Sequence, residues 1–139
     1  MKAQHSLHTS IQAGLAGQKK RVDALANAAS GIIQRFHRAG ADLRQSSSVN
    51  RASGKVLFFG ENNGVEWVYA TNDELWDQEH EEHLSINDGE QYYFAKFRSL
   101  KTPDGKDRIT GGFDKDFQTN KEAQSYQQGF THMLERVLL

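Results

Sequence analysis

The 139-residue chain has the length of one ordinary domain, and 37% hydrophobic with 10% aromatic residues is enough for a modest core. Cysteine is absent, which excludes disulfides, thiolate zinc ligands and thiol nucleophiles and is typical of a reducing compartment. No apolar run approaches the ~18–20 residues of a membrane span, and residues 1–10 contain no apolar signal core, so we expect a cytoplasmic protein without membrane association.

Charge divides the chain into two parts. The first 55 residues hold nine basic and two acidic residues, a net charge of +7, whereas the remaining 84 hold eight basic and sixteen acidic residues, a net charge of −8. A basic segment joined to an acidic body contacts that body, joins two subunits or holds a polyanion. The overall net charge of −1 does not reveal this separation of basic and acidic residues along the chain.

The first predicted element is a helix. Its apolar face has alternating steps of three and four residues and carries Val22, Leu25, Ala29, Ile32 and Phe36. From Ser6 to Ala39 a single helix would be roughly 50 Å long, more than a compact domain of this size covers. Either Gly14 and Gly17 divide it into a helix pair, or its free end packs on another subunit. Residues 1–45 are thus predicted to form a basic N-terminal helical segment.

A polar linker and a sheet domain follow. Gly40 is a helix stop, and residues 46–54 are polar without an apolar period, which is typical of a linker. Residues 55–59 form an apolar strand, and Asn63-Gly64 supplies a turn that favours positive φ before an alternating return strand. We therefore predict a hairpin at the start of an α+β domain that spans residues 55–139.

The rest of this domain consists of short elements before a final helix. In chain order these are a short helix or loop in the acidic residues 71–83, and strands at residues 84–86, 91–100 and 107–113. Thr119, with Glu122 three residues later, matches a capping box that begins the C-terminal helix. The elements predict an α+β fold with an N-terminal helix or helix pair, an antiparallel sheet of four to five strands, and a C-terminal helix packed on the sheet.

Alternation along the strands divides the aromatic residues between two sheet faces. One face carries the residues that we predict to form the core or line a ligand pocket, namely Trp67, Tyr69, Tyr93 and Phe97. The C-terminal helix would cover this face with an apolar stripe that includes Phe130. Tyr92 and Phe94 lie on the other face, and we predict that they form a homodimer interface together with Ile32 of the N-terminal helix.

No catalytic residue, metal site or cofactor site is predicted. His80 and His83 are three residues apart, whereas the His-Glu-x-x-His zinc motif places its histidines four apart. Adjacent Glu81 and Glu82 do not converge on one substrate, so we interpret them as solvated carboxylates. Gly111-Gly112 lacks the lysine of a phosphate loop.

Three classes of function remain. The first is a small, self-associating, non-enzymatic interaction or ligand-binding module, a homodimer that binds an unknown partner or a small apolar ligand. The second is a small-molecule-pocket protein or enzyme that uses tyrosine, histidine and carboxylate groups of the sheet face. The third is a nucleic-acid accessory protein that uses the basic arm around Lys19-Lys20-Arg21. Against it, Phe36 is the one aromatic residue of this arm on which a base could stack. We expect the arm to meet the acidic residues 73–82 instead.

Overall fold

The computed structural model describes the backbone of residues 2–52, 54–72, 79–101 and 107–139, and the side chains of residues 21–52, 54–72, 80–100 and 108–139. The elements in these ranges are α1 (Lys2–Ala39), α2 (Ala41–Gln45), β1 (Ser48–Ala52), β2 (Lys55–Asn62), β3 (Val65–Thr71), β4 (Glu79–Asn87), β5 (Tyr92–Lys101), β6 (Asp107–Phe113) and α3 (Asn120–Leu138). The predicted α+β class is confirmed. Among the described helices, none combines the length and the apolar character needed to cross a membrane.

The strands form one antiparallel sheet in the order β1-β2-β3-β4-β5-β6, so each strand pairs with its neighbours in the chain. The register places Phe58 beside Tyr69, Tyr69 beside Leu84 and Leu84 beside Ala95. Because side chains alternate between the two faces of a sheet, these four residues mark one face, which we call the inner face. Both α1 and α3 pack there, as the ring of Phe36 against Tyr69 illustrates at 5.5 Å between centroids.

The sheet has six strands in the described residues, more than the four to five predicted. β1 lies inside residues 46–54, which the sequence indicated as a linker, and it pairs with β2 from Ser48 opposite Phe59 to Ala52 opposite Lys55. All five residues of β1 are exposed, so ladder hydrogen bonds hold this edge strand without apolar burial. The prediction of a linker is wrong there because such a strand leaves no hydrophobic pattern in the sequence.

β4 also differs from its prediction. The sequence indicated a helix or loop over residues 71–83 and a strand only at residues 84–86, whereas β4 begins at Glu79. It pairs with β5 from Glu79 opposite Leu100 to Asn87 opposite Tyr92, so the long neighbouring strand extends the pairing into the acidic segment. Residues 73–78 of that segment lie outside the described residues.

α1 is one continuous helix through Gly14 and Gly17, so of the two predicted alternatives the single helix is present and the helix pair is not. At 1.5 Å per residue its 38 residues span roughly 57 Å. In the part with described side chains, the buried residues are Ala26, Ala29, Ser30, Ile33 and Phe36. The predicted stripe is therefore rotated, since Val22 is 60% exposed and Ile32 is half-buried. Small residues at positions 26, 29 and 30 let the helix lie close to the sheet.

α3 begins at the predicted capping box. Thr119 Oγ1 accepts a hydrogen bond from the Glu122 N–H at 3.1 Å, and Glu122 Oε2 accepts one from the Gln118 N–H at 3.0 Å. Farther along, a Cβ at Gly129 would clash with the Tyr93 hydroxyl, so glycine lets the helix backbone approach the sheet closely.

The β2–β3 turn holds the other end of α3. Asn63 has φ of 53° and Gly64 has φ of 77°, as the predicted turn requires. The Asn63 side chain donates to the Arg136 carbonyl oxygen at 2.8 Å, and the Asn62 side chain donates to that of Val137. These bonds satisfy carbonyl groups that have no partner within the helix. The hairpin and the C-terminal helix are therefore joined by specific polar contacts.

Candidate functional site

One candidate site is a polar group buried on the inner face around Glu82. The two-residue period of β4 aligns Glu82 with Leu84 and Ile86, which are fully buried. Glu82 itself is only 3% exposed. A carboxyl group therefore occupies a position in the apolar row of the strand, where burial without partners would be costly.

Four other side chains surround this carboxyl group, and we call the set of His37, Arg44, Tyr69, His80 and Glu82 the Glu82 cluster. The Tyr69 hydroxyl donates to Glu82 Oε1. His37 Nδ1 lies 3.0 Å from the Tyr69 oxygen and 3.7 Å from Glu82 Oε1. His80 Nε2 lies 3.0 Å from Glu82 Oε2. Both carboxyl oxygens therefore have a polar neighbour, as burial requires.

Arg44 adds a cation to the cluster. Its guanidinium carbon lies 5.4 Å from the Tyr69 ring centroid and 5.9 Å from that of Phe36, distances typical of cation–π contacts. Arg44 Nη1 also donates to the Phe36 carbonyl oxygen at 3.1 Å, the same oxygen that accepts from the Gly40 N–H. Arg44 therefore ties the corner between α1 and α2 to the sheet through Tyr69.

Burial dominates the protonation of the cluster. Desolvation raises the pKa of Glu82 from 4.5 to about 7, while the positive charge of Arg44 opposes this rise. Desolvation lowers the pKa of His37 from 6.5, and the charges of Arg44 and Arg38 lower it further. Glu82 therefore changes its charge near neutral pH, where His37 is neutral.

The second candidate site is the opposite face of the sheet, the outer face. Its apolar residues form a patch of Leu57, Phe59, Val68, Ala70, Tyr92 and Phe94, which we call the apolar patch. The register places Phe59 beside Val68, and Ser85 separates Val68 from Phe94. Phe59 is 43% and Tyr92 is 55% exposed, large fractions for aromatic side chains. The described side chains of α1 and α3 that are buried pack on the inner face.

Opposite charges flank the apolar patch. Glu61 and Glu66 face each other across β2 and β3 at the turn end of the outer face. Lys55 of β2 and Arg98 of β5 lie toward the other end of the same face, as the alternation of the strands requires. The outer face therefore combines an apolar centre with an acidic end and a basic end.

Glu81 lies beside this basic end. One of its carboxylate oxygens accepts from His83 Nε2 at 2.7 Å, and the other accepts from Arg98 Nη2 at 3.4 Å. The hydrogen bond from His83 is the main cause that lowers the pKa of Glu81, and Arg98 contributes. The His83 ring in turn lies 5.7 Å from that of Phe94, which joins this polar group to the apolar patch.

The four pocket candidates come together on the inner face. Trp67, Tyr69, Tyr93 and Phe97 are between 1% and 8% exposed and belong to the core. Aromatic side chains of the helices pack against them. The ring centroid of Phe36 lies 5.1 Å from that of Trp67, and the ring centroid of Phe130 lies 5.4 Å from that of Tyr93. Phe97 also borders an open cleft of about 240 Å³ with Glu81, Lys96, Arg98, Thr110 and Gly111. Their role in binding a ligand stays a prediction.

The three predicted interface residues are separated in the fold. Tyr92 and Phe94 lie on the outer face, whereas Ile32 packs against the core from α1. An interface formed by the outer face could therefore include Tyr92 and Phe94 but not Ile32. The role of these residues in an interface stays a prediction.

Basic residues of the N-terminal segment contact the rest of the chain. Arg21 Nη2 donates to the Phe117 carbonyl oxygen at 2.8 Å, and Arg35 Nη1 lies 3.3 Å from Glu135 Oε1. The sequence predicted that this arm contacts the acidic residues 73–82. Among the described residues, Arg44 interacts electrostatically with Glu82 of that segment. The side chains of Lys19 and Lys20, and all of residues 73–78, lie outside the described residues.

Glu82 is the residue that the sequence prediction missed, because its interpretation as a solvated carboxylate is wrong. The signal was its two-residue spacing from Leu84 and Ile86, which becomes visible once the strand is known to extend through residue 82. Glu81, one residue earlier, lies on the outer face. In the part of the chain that the structure describes, no three His, Asp or Glu side chains converge as ligands for a metal ion.

Comparison with known proteins yields no relative. No protein-family model, no curated protein and no solved structure matches this chain.

Proposed function

We propose that this protein is a small, non-enzymatic interaction module that self-associates through the outer face of its sheet. The observation that carries the proposal is the apolar patch, with Phe59 43% and Tyr92 55% exposed. Exposed aromatic side chains on one face of a sheet are characteristic of association sites, since covering them releases water from their surface. The partner that we propose is a second copy of the same chain.

The charges at the two ends of the patch support a second copy as the partner. In a face-to-face pair related by a two-fold axis across the strands, the acidic end of one copy meets the basic end of the other. Glu61 and Glu66 would then lie near Lys55 and Arg98 of the second copy, twice in each dimer. Such charge complementarity orients the pair, while the apolar patch supplies the free energy.

The experiment is a measurement of molar mass by light scattering across a concentration series, with Phe59→Glu as the disrupting variant. A glutamate at this position would be buried without a partner in the dimer, so we expect the variant to be monomeric under conditions where the wild type is dimeric. Val22→Glu is the matched control, because Val22 is 60% exposed and lies on α1, away from the outer face. We expect this control to dimerise like the wild type.

Two results would contradict the proposal. One is a wild-type mass equal to the monomer at hundreds of micromolar, and the other is a dimer that Phe59→Glu leaves intact. Because Phe59 is on the surface of the monomer, circular dichroism should report the same fold for the variant and the wild type. Loss of the dimer together with an unchanged fold then assigns the effect to the interface.

The other two classes of function have weaker support. The Glu82 cluster supplies the tyrosine, histidine and carboxyl groups of a pocket protein or enzyme, but the aromatic rings beside it pack against one another and against the helices. For a nucleic-acid accessory protein, Arg21, Arg35 and Arg44 would have to contact phosphates. Each of them instead makes contacts within its own chain.

A further inference from the structure

The Glu82 cluster joins two layers of the molecule. His37 and Arg44 come from the helical corner around Gly40, whereas Tyr69, His80 and Glu82 come from β3 and β4. At the corner the carbonyl oxygen of Phe36 accepts hydrogen bonds from both the Gly40 N–H and the Arg44 side chain. Any change in charge at Glu82 therefore acts on the contacts that hold this corner to the sheet.

We propose that the Glu82 cluster is a proton-coupled latch, in which one bound proton fastens the α1–α2 corner to the sheet and release of that proton loosens it. This device is separate from self-association, because it lies on the inner face and needs no second copy. Its ligand is a proton, and the moving part is the segment around residues 36–47.

A chain of hydrogen bonds leads from the surface to the buried carboxyl group. The His37 side chain is 48% exposed, and its Nδ1 lies 3.0 Å from the Tyr69 oxygen, which in turn contacts Glu82. When Glu82 is ionised, Tyr69 donates to it and His37 Nδ1–H donates to Tyr69. When Glu82 is protonated, its O–H donates to Tyr69 and the Tyr69 O–H donates to Nδ1. For the carboxyl group to gain a proton by this route, the half-exposed His37 ring takes one from water at Nε2 while its Nδ1 proton moves to Tyr69 and the Tyr69 proton moves to Glu82. His37 ends as the neutral Nε2–H tautomer, and Glu82 gains its proton without contacting water itself.

The groups that face Glu82 come from every element packed around it. α1 contributes His37, with Arg38 farther out, and α2 contributes Arg44. β3 contributes Tyr69 and β4 contributes His80. In the same cross-strand row, Val56 and Phe97 carry no ionisable group, and Arg51 at the edge is exposed. Arg44 is the cation that opposes the cost of a buried negative charge.

The sign of the coupling follows from the direction of the pKa shift. Because burial raises the pKa of Glu82 from 4.5 to about 7, the closed latch binds a proton that an open latch or an unfolded chain releases over this range. The stability that Glu82 contributes is therefore present below about pH 4.5 and is lost as the pH rises through about 7. His37 acts in the opposite direction, since its lowered pKa favours the closed form above its ordinary value of 6.5 and opposes it below.

The test separates these contributions with two neighbouring variants. Glu82→Gln keeps the shape of the side chain and, like the protonated acid, one acceptor oxygen and one donor group without the charge. Glu81→Gln is the matched control one residue away on the outer face. The equilibrium constant for unfolding is measured by denaturant titration between pH 4.5 and 8. Relative to Glu82→Gln, we expect the wild type to lose stability with rising pH by about 10²-fold in this constant. Relative to Glu81→Gln, the wild type should gain stability over the lower part of the range.

Hydrogen exchange tests whether the effect is local. After correction for the intrinsic rate, amides of residues 36–47 in the wild type should lose protection at least tenfold between pH 5.5 and 8, while the middle of α3 changes less. In Glu82→Gln this loss should disappear. The same pH dependence in both proteins, or an equal loss in α3, would overturn the latch.

A measurement on the wild type alone covers the case in which Glu82→Gln does not fold. The carbon-13 shift of the Glu82 carboxyl group, followed by nuclear magnetic resonance, should titrate with a midpoint near neutral pH. A midpoint at or below the ordinary value of 4.5 would overturn the proposal.

Discussion

Glu81 and Glu82 are neighbours in the chain and lie in opposite environments. Glu81 is on the outer face, where the hydrogen bond from His83 lowers its pKa. Glu82 is on the inner face, where desolvation raises its pKa to about 7. One residue of displacement along a strand thus reverses the sign of the shift, because successive side chains point to opposite faces of the sheet. The two faces of one sheet therefore carry different chemistry, a buried carboxyl group on one and exposed aromatic side chains on the other.

The largest expected effect comes from the core of the inner face. Phe130 is fully buried between α3 and the sheet, and its ring lies 5.4 Å from that of Tyr93 and 6.0 Å from that of Phe113. Phe130→Ala should lower the free energy of unfolding by ~3–5 kcal/mol, measured by urea titration. Phe59→Ala on the outer face is the contrast and should cost under ~1 kcal/mol in the monomer. Similar costs for the two variants would mean that the faces are assigned incorrectly.

An intermediate effect is expected from the hydroxyl group that links the core to the Glu82 cluster. Tyr69→Phe leaves the ring in place but removes the donor to Glu82 Oε1. We expect it to cost ~1–3 kcal/mol, and to cost more at pH 8 than at pH 5, because the ionised carboxylate depends on donors more than the neutral acid does. Denaturant titration at the two pH values measures this. An equal cost at both would show that Glu82 does not ionise in this range.

The smallest effect is expected from the carboxylate on the outer face. Because the pKa of Glu81 is lowered, its contribution to stability is present above its ordinary value of 4.5 and is lost as the pH falls. Glu81→Gln should therefore cost ~0–1 kcal/mol at pH 7, and less at high salt or as the pH falls below 4.5. Thermal unfolding at two salt concentrations measures it. If Glu81→Gln instead stabilises the protein at pH 7, the charges of Glu81 and Glu82 do not have opposite effects on stability, and the comparison fails.

The hairpin and the capping box show what local chemistry determines in this protein. Asn63-Gly64 favours positive φ wherever it occurs in a chain, and Thr119 with Glu122 satisfies helix N–H groups from side chains only a few residues away. The aromatic residues of the core alternate along their strands, so the sequence also identified Trp67, Tyr69, Tyr93 and Phe97 as residues of one face. These features depend on residues that are close together in the chain, so the sequence alone contains the information that determines them.

The extent of β1 and β4 and the burial of Glu82 depend instead on contacts between elements that are distant in the chain. β1 has no apolar pattern and exists because β2 offers it a ladder of backbone hydrogen bonds, and β4 begins at Glu79 because β5 is long enough to pair with it. Glu82 looked like a solvated acid because the residues that bury it, from His37 on α1 to Tyr69 on β3, are distant in the chain. Burial and pKa are properties of the surroundings of a side chain in space. Only the tertiary structure, which brings helix and sheet together, placed one of two adjacent glutamates on the outer face and the other in the core.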